Sequence, residues 1–111
     1  VMHAKDDPDA SRIFASELIH GAPVLNEYLH SDFKIWLQSK VNVIETWIKQ
    51  GLIDDVNPHH LLFLIWSSTQ HYADFNVQVV AALDKEAMSD DDFDAVVSSL
   101  TKIILKGCGI Q

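Results

Sequence analysis

The sequence predicts an all-α protein, a helical bundle of about five helices that forms one domain over residues 1–111. Apolar residues recur at spacings of three and four along most of the chain, and no useful length alternates with period two. Proline, glycine and short polar residues divide this pattern into pieces of helix length. At 111 residues the chain has the size of one ordinary domain, and an apolar fraction of 48% is typical of a folded protein.

The first helix is predicted over Pro8–His20. Asp7 can accept hydrogen bonds from the free amides of the first turn, and the proline at the first helical position has a suitable fixed φ. Gly21 can end the helix in the left-handed conformation. A short second helical piece is predicted from Pro23 to His30. The apolar face of the first helix is predicted to consist of Ala10, Ile13, Phe14 and Leu18.

The third helix is predicted to be the longest amphipathic helix of the chain, and a central helix follows it. The third runs from Ser31 to Ile48, is amphipathic, and is followed by Gly51 as a stop signal. The fourth, Pro58–Phe75, follows Asn57 as a capping residue. Residues 61–66 are apolar on every side of this helix, which predicts a central helix covered on more than one face.

The last helix carries the clearest amphipathic pattern. Residues 76–85 can continue the fourth helix by a further turn or two, after which Ser89 and Asp92 approximate a capping box. A helix with such a stripe at the end of the chain must cover it, either in the core of its own chain or against a second copy. The stripe consists of Phe93, Val96, Val97, Leu100, Ile103 and Ile104.

Charge and composition exclude several function classes for the chain by itself. Eight basic residues are scattered among sixteen acidic ones, giving a formal charge of -8. A surface that binds DNA phosphates or an anionic membrane needs clustered basic residues, so neither is expected here. No apolar run approaches the length that spans a bilayer. The single Cys108 excludes an internal disulfide, and together these features favour a cytoplasmic protein.

The motifs of common enzyme classes are absent, so an enzyme is not expected and no cofactor is predicted. One pattern keeps a metal alternative open: Glu17 with His20 and Glu27 with His30 both have the E-x-x-H spacing of di-iron bundles. Glu45 could add a third ligand. Histidines exposed at helix ends explain the same spacing without a metal, and we favour that interpretation.

A second metal alternative lies in the fourth helix, where His71 and Asp74 are one turn apart. His59 and His60 begin the same helix and are expected in its first exposed turn. We favour a histidine that hydrogen-bonds within the bundle over a metal ligand.

The fourth helix contains the run I-W-x-S-T-Q-H-Y-A-D-F at residues 65–75. This run resembles the penultimate helix of TetR-family bacterial transcription regulators, and most closely that of the pyrimidine-utilisation subfamily. Residues 7–14, together with Glu17 and the Gly-Ala-Pro at 21–23, resemble an earlier helix of the same subfamily. The likeness therefore extends over most of the chain.

The resemblance implies an effector-binding and dimerisation domain of a regulator, most simply a repressor, whose DNA affinity responds to a small molecule. Family members are about twice as long and begin with a helix-turn-helix domain that this chain lacks, so DNA is expected to be bound only through that missing domain. The last two helices are expected to pair with their copies in a homodimeric four-helix bundle. An oligomerisation module with a filled core and no ligand is the alternative.

The resemblance also implies a pocket inside each subunit. Phe63, Trp66 and Gln70 lie at i, i+3 and i+7 and share one face of the fourth helix. An amide among aromatic rings can present one donor and one acceptor to a planar ligand with a lactam edge. A pyrimidine or another small planar compound is the ligand class that the resemblance implies. The alternative is that Trp66 belongs to the core and Gln70 bonds a neighbouring backbone group.

Overall fold

The computed structural model describes residues 8–110, and within them it contains six helices and no strand. This confirms the all-α prediction. The cap predicted at Asp7 lies outside the described residues. In chain order the helices are α1 (Pro8–Ile19), α2 (Asn26–His30), α3 (Asp32–Lys49), α4 (Pro58–Asp74), α5 (Asn76–Ala82) and α6 (Asp90–Gly107).

Two helices begin at the caps that the sequence predicts. The Asn57 side chain accepts a hydrogen bond from the His60 N–H at 3.2 Å, at the start of α4. At the start of α6 the Ser89 hydroxyl accepts from the Asp92 N–H, and the Asp92 carboxylate accepts from the Ser89 N–H at 2.8 Å. This reciprocal pair is the predicted capping box, and it satisfies two amides that a helix start leaves free.

Three other boundaries also follow from the backbone. Gly21 and Gly51 have φ values of +88° and +74°, so the turns after α1 and α3 use the left-handed conformation that glycine adopts without strain. The predicted continuation of the fourth helix forms the separate helix α5. Phe75, with φ -121° and ψ 34°, interrupts the helical path between α4 and α5.

The helices form a thin arrangement in which α4 is the central element. Helix α1 packs on α4, α2 packs on α3, and α3 also contacts α4. The shortest dimension of the molecule is 18 Å, about the thickness of two packed helices. Within a single chain α4 is therefore not enclosed, and Phe63 and Leu64 remain largely exposed on it. Helices α1 and α3 both cover parts of α4, whereas the side of α4 that carries Phe63 and Leu64 is left uncovered by the described residues.

The apolar stripe of α6 is divided between the core and the surface. Phe93 and Val96 are 8% exposed and belong to the core of the chain itself. Val97 is exposed, and Ile103 is 66% exposed. Leu100 and Ile104 lie between these extremes. A stripe that looks uniform in sequence therefore anchors α6 with its first turns and leaves apolar side chains uncovered toward its end.

Candidate ligand-binding site

A cavity of about 440 Å³ lies where α1, α2, α3 and α4 meet. This volume falls at the lower end of the range of small-molecule sites, roughly 300–1,000 Å³. Most of the lining is apolar, with a polar cluster from α1 and α4. The lining residues are Ser11, Phe14, Ala15, Leu18, Tyr28, Leu29, Phe33, Trp36, Trp66, Gln70 and Asp74.

One wall of the cavity consists of aromatic rings. The Trp36 and Trp66 rings are nearly parallel, at 20°, with centroids 6.0 Å apart. The Phe33 centroid lies 5.9 Å from that of Trp66 and 6.0 Å from that of Tyr28. Broad ring faces offer dispersion contacts and stacking to a flat partner, so this wall suits a planar ligand.

The polar part of the cavity is a cluster that joins α1 to α4. Ser11 is 4% exposed, and its hydroxyl oxygen is 2.8 Å from Asp74 Oδ1. The same hydroxyl is hydrogen-bonded to the Gln70 side-chain amide. The sequence prediction missed Ser11, because it assigned the apolar face of α1 to Ala10, Ile13, Phe14 and Leu18. Phe14 and Leu18 do line the cavity, whereas Ile13 is exposed. The burial of Ser11 could have been inferred from its spacing, because Ser11 lies on the same helical face as Ala15 and Leu18.

The structure brings together two of the three residues predicted to bind a ligand. Trp66 and Gln70 both line the cavity. Phe63 is not among the lining residues. Its ring lies against those of Trp66 and His60, with centroids 6.1 Å and 6.2 Å apart. Phe63 therefore supports Trp66 from outside the cavity, and Asp74 occupies the next turn of α4 beyond Gln70.

The first E-x-x-H pair makes local hydrogen bonds instead of approaching a metal site. Glu17 Oε2 accepts from the backbone N–H groups of Val24 and Leu25 at 2.7 Å and 3.1 Å. His20 Nδ1 lies 2.7 Å from the carbonyl oxygen of Ser16, in the last turn of α1. Across residues 8–110 no group of three or more His, Cys, Asp or Glu side chains could hold a metal ion. Glu17 thus braces the connection from α1 to α2.

His71 and Asp74, the second metal alternative, have different partners. The His71 ring stacks on Phe75, with centroids 5.2 Å apart and planes at 24°. Asp74 instead contacts the hydroxyl of Ser11 on α1. One residue of this pair is engaged in ring packing and the other in the polar cluster of the cavity.

Comparison with known proteins agrees with this architecture. A TetR C-terminal family model, described as "YcdC-like protein, C-terminal region", matches residues 1–111. The chain belongs to the TetR family. It is 39% identical over 104 residues to the HTH-type transcriptional regulator RutR of Escherichia coli K12, and equally to RutR of Shigella flexneri. These matches cover 94% of the chain and 49% of each relative, so the chain spans about half the length of the curated relatives it matches.

The family assignment makes this chain a regulatory domain, and its relatives are named as transcriptional regulators, not as enzymes. TetR-family regulators typically bind DNA and small-molecule effectors, and they form dimers. None of the helices in residues 8–110 has the length and apolar character needed to cross a membrane.

A second groove of this TetR-family domain lies between the first half of α4 and the end of α6. It has a volume of about 320 Å³ and is almost entirely apolar. The groove contains two of the residues predicted for the dimer interface, Ile103 and Ile104, beside Leu61 and Leu64 of α4. The uncovered apolar side chains of α4 and α6 therefore form one continuous surface.

Proposed function

We propose that this chain is the effector-binding and dimerisation domain of a TetR-type transcriptional repressor. The observation that carries the proposal is the cavity at Trp66 and Gln70, which combines an aromatic wall with a compact polar cluster. The DNA-reading part would be a helix-turn-helix domain elsewhere in the full-length protein. Such a regulator would act in the bacterial cytoplasm, where its DNA is.

The ligand that the cavity suits best is a small planar compound of the pyrimidine class. Stacked rings at Trp36 and Trp66 favour a flat molecule over a branched or elongated one. The polar cluster favours a molecule with hydrogen-bonding groups on one edge, because a buried polar group without a partner is costly. The motif at residues 65–75 supports the pyrimidine class through the resemblance to pyrimidine-utilisation regulators.

Titration of the purified chain with uracil tests this proposal, with tryptophan fluorescence and calorimetry as readouts. Gln70→Leu should weaken uracil binding about tenfold or more, because the amide makes direct hydrogen bonds in a site with few alternatives. Gln78→Leu is the matched control: Gln78 is exposed on α5 and does not line the cavity. Equal affinities of these two variants, or saturable binding that survives Trp66→Leu unchanged, would contradict the assignment of the site.

Dimerisation is proposed to use α6 and the exposed side of α4. Phe93 and Val96 are buried in the core of the chain, so they are not available for a contact with a second subunit. Of the other residues in the apolar stripe of α6, Val97 and Ile103 would make most of the contact. The half-buried Leu100 and Ile104 would lie beneath them. Phe63 and Leu64 would extend the contact along α4, and the second subunit would supply the cover that this helix lacks.

Sedimentation equilibrium tests the dimer with two variants that add the same charge to α6. Ile103→Glu should shift the chain toward monomer at micromolar concentration, because it places a carboxylate in an apolar contact. Ser98→Glu changes an exposed position outside the predicted stripe and should leave the dimer intact. A wild-type chain that is monomeric throughout this range would refute the proposed interface.

Ligand and dimer would be coupled through the arrangement of the two subunits. A ligand can shift such an equilibrium only by the difference in its affinity for the two arrangements. The cavity lies between α4, which contributes to the proposed interface, and α1, the first described helix. Ligand binding could therefore change how two DNA-reading domains are spaced across half-sites about one helical turn apart.

A further inference from the structure

Helix α2 lies at the cavity without an anchor in the core. None of its five residues is buried, although Tyr28 and Leu29 line the cavity. The cavity is open beside α2, because the lining residues Phe14, Tyr28 and Trp36 are exposed by 43%, 45% and 46%. A helix that buries no side chain gains little free energy from staying in one position. Helix α2 is therefore free to move relative to the cavity walls made by the other helices.

The backbone changes direction at both ends of α2. Before it, Ala22 has a φ of +56°, which is uncommon for a residue with a side chain. Ala22 is also 5% exposed, and its N–H donates to the Glu17 carbonyl oxygen at 2.9 Å, so it is fixed to the end of α1. After α2, Ser31 leaves the helical region with φ -125° and ψ -98° and separates α2 from α3. Residues 23–31, the lid segment, thus have a pivot at each end.

The lid segment is tied to α1 through the Glu17 carboxylate. The N–H groups of Val24 and Leu25 donate to Glu17 Oε2 at 2.7 Å and 3.1 Å. Glu17 is only half-buried, so water can replace these two hydrogen bonds at modest cost. The tie therefore holds the start of the lid segment in place and can be released without opening the core.

A groove of about 420 Å³ gives the lid segment room to move toward α1. The groove is lined by Ala10, Ile13, Phe14, Glu17, Val24 and Leu25. Val24 is 81% exposed and Ile13 is 72% exposed, so bringing them together would remove apolar surface from water. The same movement would bring Tyr28 toward Phe14, which lies on the opposite wall of the cavity. The structure thus provides both the space and a driving force for closing the mouth.

We propose that residues 23–31 form a lid that closes over a ligand in the cavity, with Glu17 as its latch. Closure covers the bound molecule with Tyr28 and packs Val24 against Ile13. A ligand favours the closed state because it makes contacts with Tyr28 that the open state lacks. Glu17 does not touch the ligand and acts as a positioning residue, since it keeps the lid aligned with α1. The proposal rests on the proposed function and concerns how the site retains a ligand, not which ligand it binds.

Stopped-flow tryptophan fluorescence with uracil measures how long the site retains a ligand. Glu17→Gln keeps the size of the side chain but removes its charge, so the dissociation rate constant should rise about fivefold or more. The association rate constant should stay within about twofold of wild type, because the mouth is already open in the free chain. Glu27→Gln is the matched control, since Glu27 is exposed on α2 and does not line the cavity. Equal dissociation rates in these two variants would overturn the proposal.

Tyr28→Ala tests the cover itself without removing a buried side chain. The dissociation rate constant for uracil should again rise about fivefold or more, while the Tm should stay close to that of wild type because Tyr28 is half-exposed. Tyr28→Phe keeps the ring and should keep the wild-type dissociation rate. A wild-type rate in Tyr28→Ala would contradict closure, whatever the stability of the Glu17 variant.

NMR relaxation dispersion on the free chain tests the lid without a ligand. The backbone nitrogen nuclei of Val24, Leu25 and Leu29 should share one exchange rate between microseconds and milliseconds, whereas that of the buried Val41 in α3 should show no exchange. Glu17→Gln should change this exchange, and Glu27→Gln should not. If uracil failed to bind, the pyrimidine proposal would fall, while this measurement would still decide whether the lid moves as a unit. Flat profiles or unrelated rates across residues 24–29 would refute the lid.

Discussion

Replacing Glu17 with alanine should destabilise the domain, whereas the same change at Glu27 should have little effect. Both glutamates begin an E-x-x-H sequence, but only Glu17 has structural partners in its Oε2 contacts with the N–H groups of Val24 and Leu25. Hydrogen bonds to a charged group contribute roughly 1.5–3 kcal/mol each when well shielded. Glu17 is only half-buried, so a total of about 1–3 kcal/mol is expected.

Glu17 stabilises the connection between α1 and α2, so its replacement should also affect ligand binding. The two amides precede α2, which contributes Tyr28 and Leu29 to the cavity wall. Loss of the brace should therefore lower affinity for a cavity ligand as well as stability. Glu27→Ala should stay within about 0.5 kcal/mol of wild type, as is usual for exposed positions.

Thermal unfolding at fixed protein concentration measures the contrast between these variants. For a domain of this size a loss of 1 kcal/mol lowers the Tm by about 4–8 °C, so a loss of about 1–3 kcal/mol in Glu17→Ala should lower the Tm by roughly 4–24 °C. Concentration must be matched because dimerisation changes the apparent Tm. Equal losses in the two glutamate variants would refute the bracing role and favour a shared role of the two E-x-x-H pairs.

Three further predictions concern the framework around the site. The Lys85 ammonium and the Ser89 N–H lower the pKa of Asp92 from 3.8 to about 2. The stability that the ionised Asp92 contributes should therefore be complete above about pH 5 and fade as the pH falls from 4 to 2. The Tm difference between wild type and Asp92→Asn should shrink over that pH range, and a constant difference would contradict this prediction. Val41→Ala should lower the free energy of unfolding in urea by about 2 kcal/mol, because this side chain is fully buried. Val43→Ala is the control and should lower it little, because Val43 is exposed. Equal losses in the two variants would be inconsistent with the core described. Asn57→Ala should cost about 1 kcal/mol through the lost cap of α4, and an unchanged urea midpoint would show that the cap contributes nothing.

The helices were largely predictable because their signals are local. Asn57 and Ser89 cap the helices that the sequence assigns to them, and Gly51 ends α3 as expected. These features depend on residues within one turn of each other, so a single sequence contains them. The end of α4 near Phe75 was predicted, but α5 was expected only as a continuation of the fourth helix, since nothing in the immediate neighbours of Phe75 forbids a continuous helix.

The site was only partly predictable because its residues come from helices distant in sequence. Trp66 and Gln70 lie on one face of α4, and that shared face made them recognisable as a pair. Ser11 lies on α1, and its burial depends on how α1 crosses α4, which periodicity does not specify. For the same reason the uniform stripe of α6 did not reveal that Phe93 would be buried and Ile103 exposed.

A crystal structure of the chain with uracil tests the central claim most directly. The account predicts planar density in the cavity between α1, α2, α3 and α4, lying against Trp66 and within hydrogen-bonding distance of Gln70 and Asp74. Density in the groove between α4 and α6 instead, or an empty cavity under conditions where calorimetry shows saturation, would contradict it.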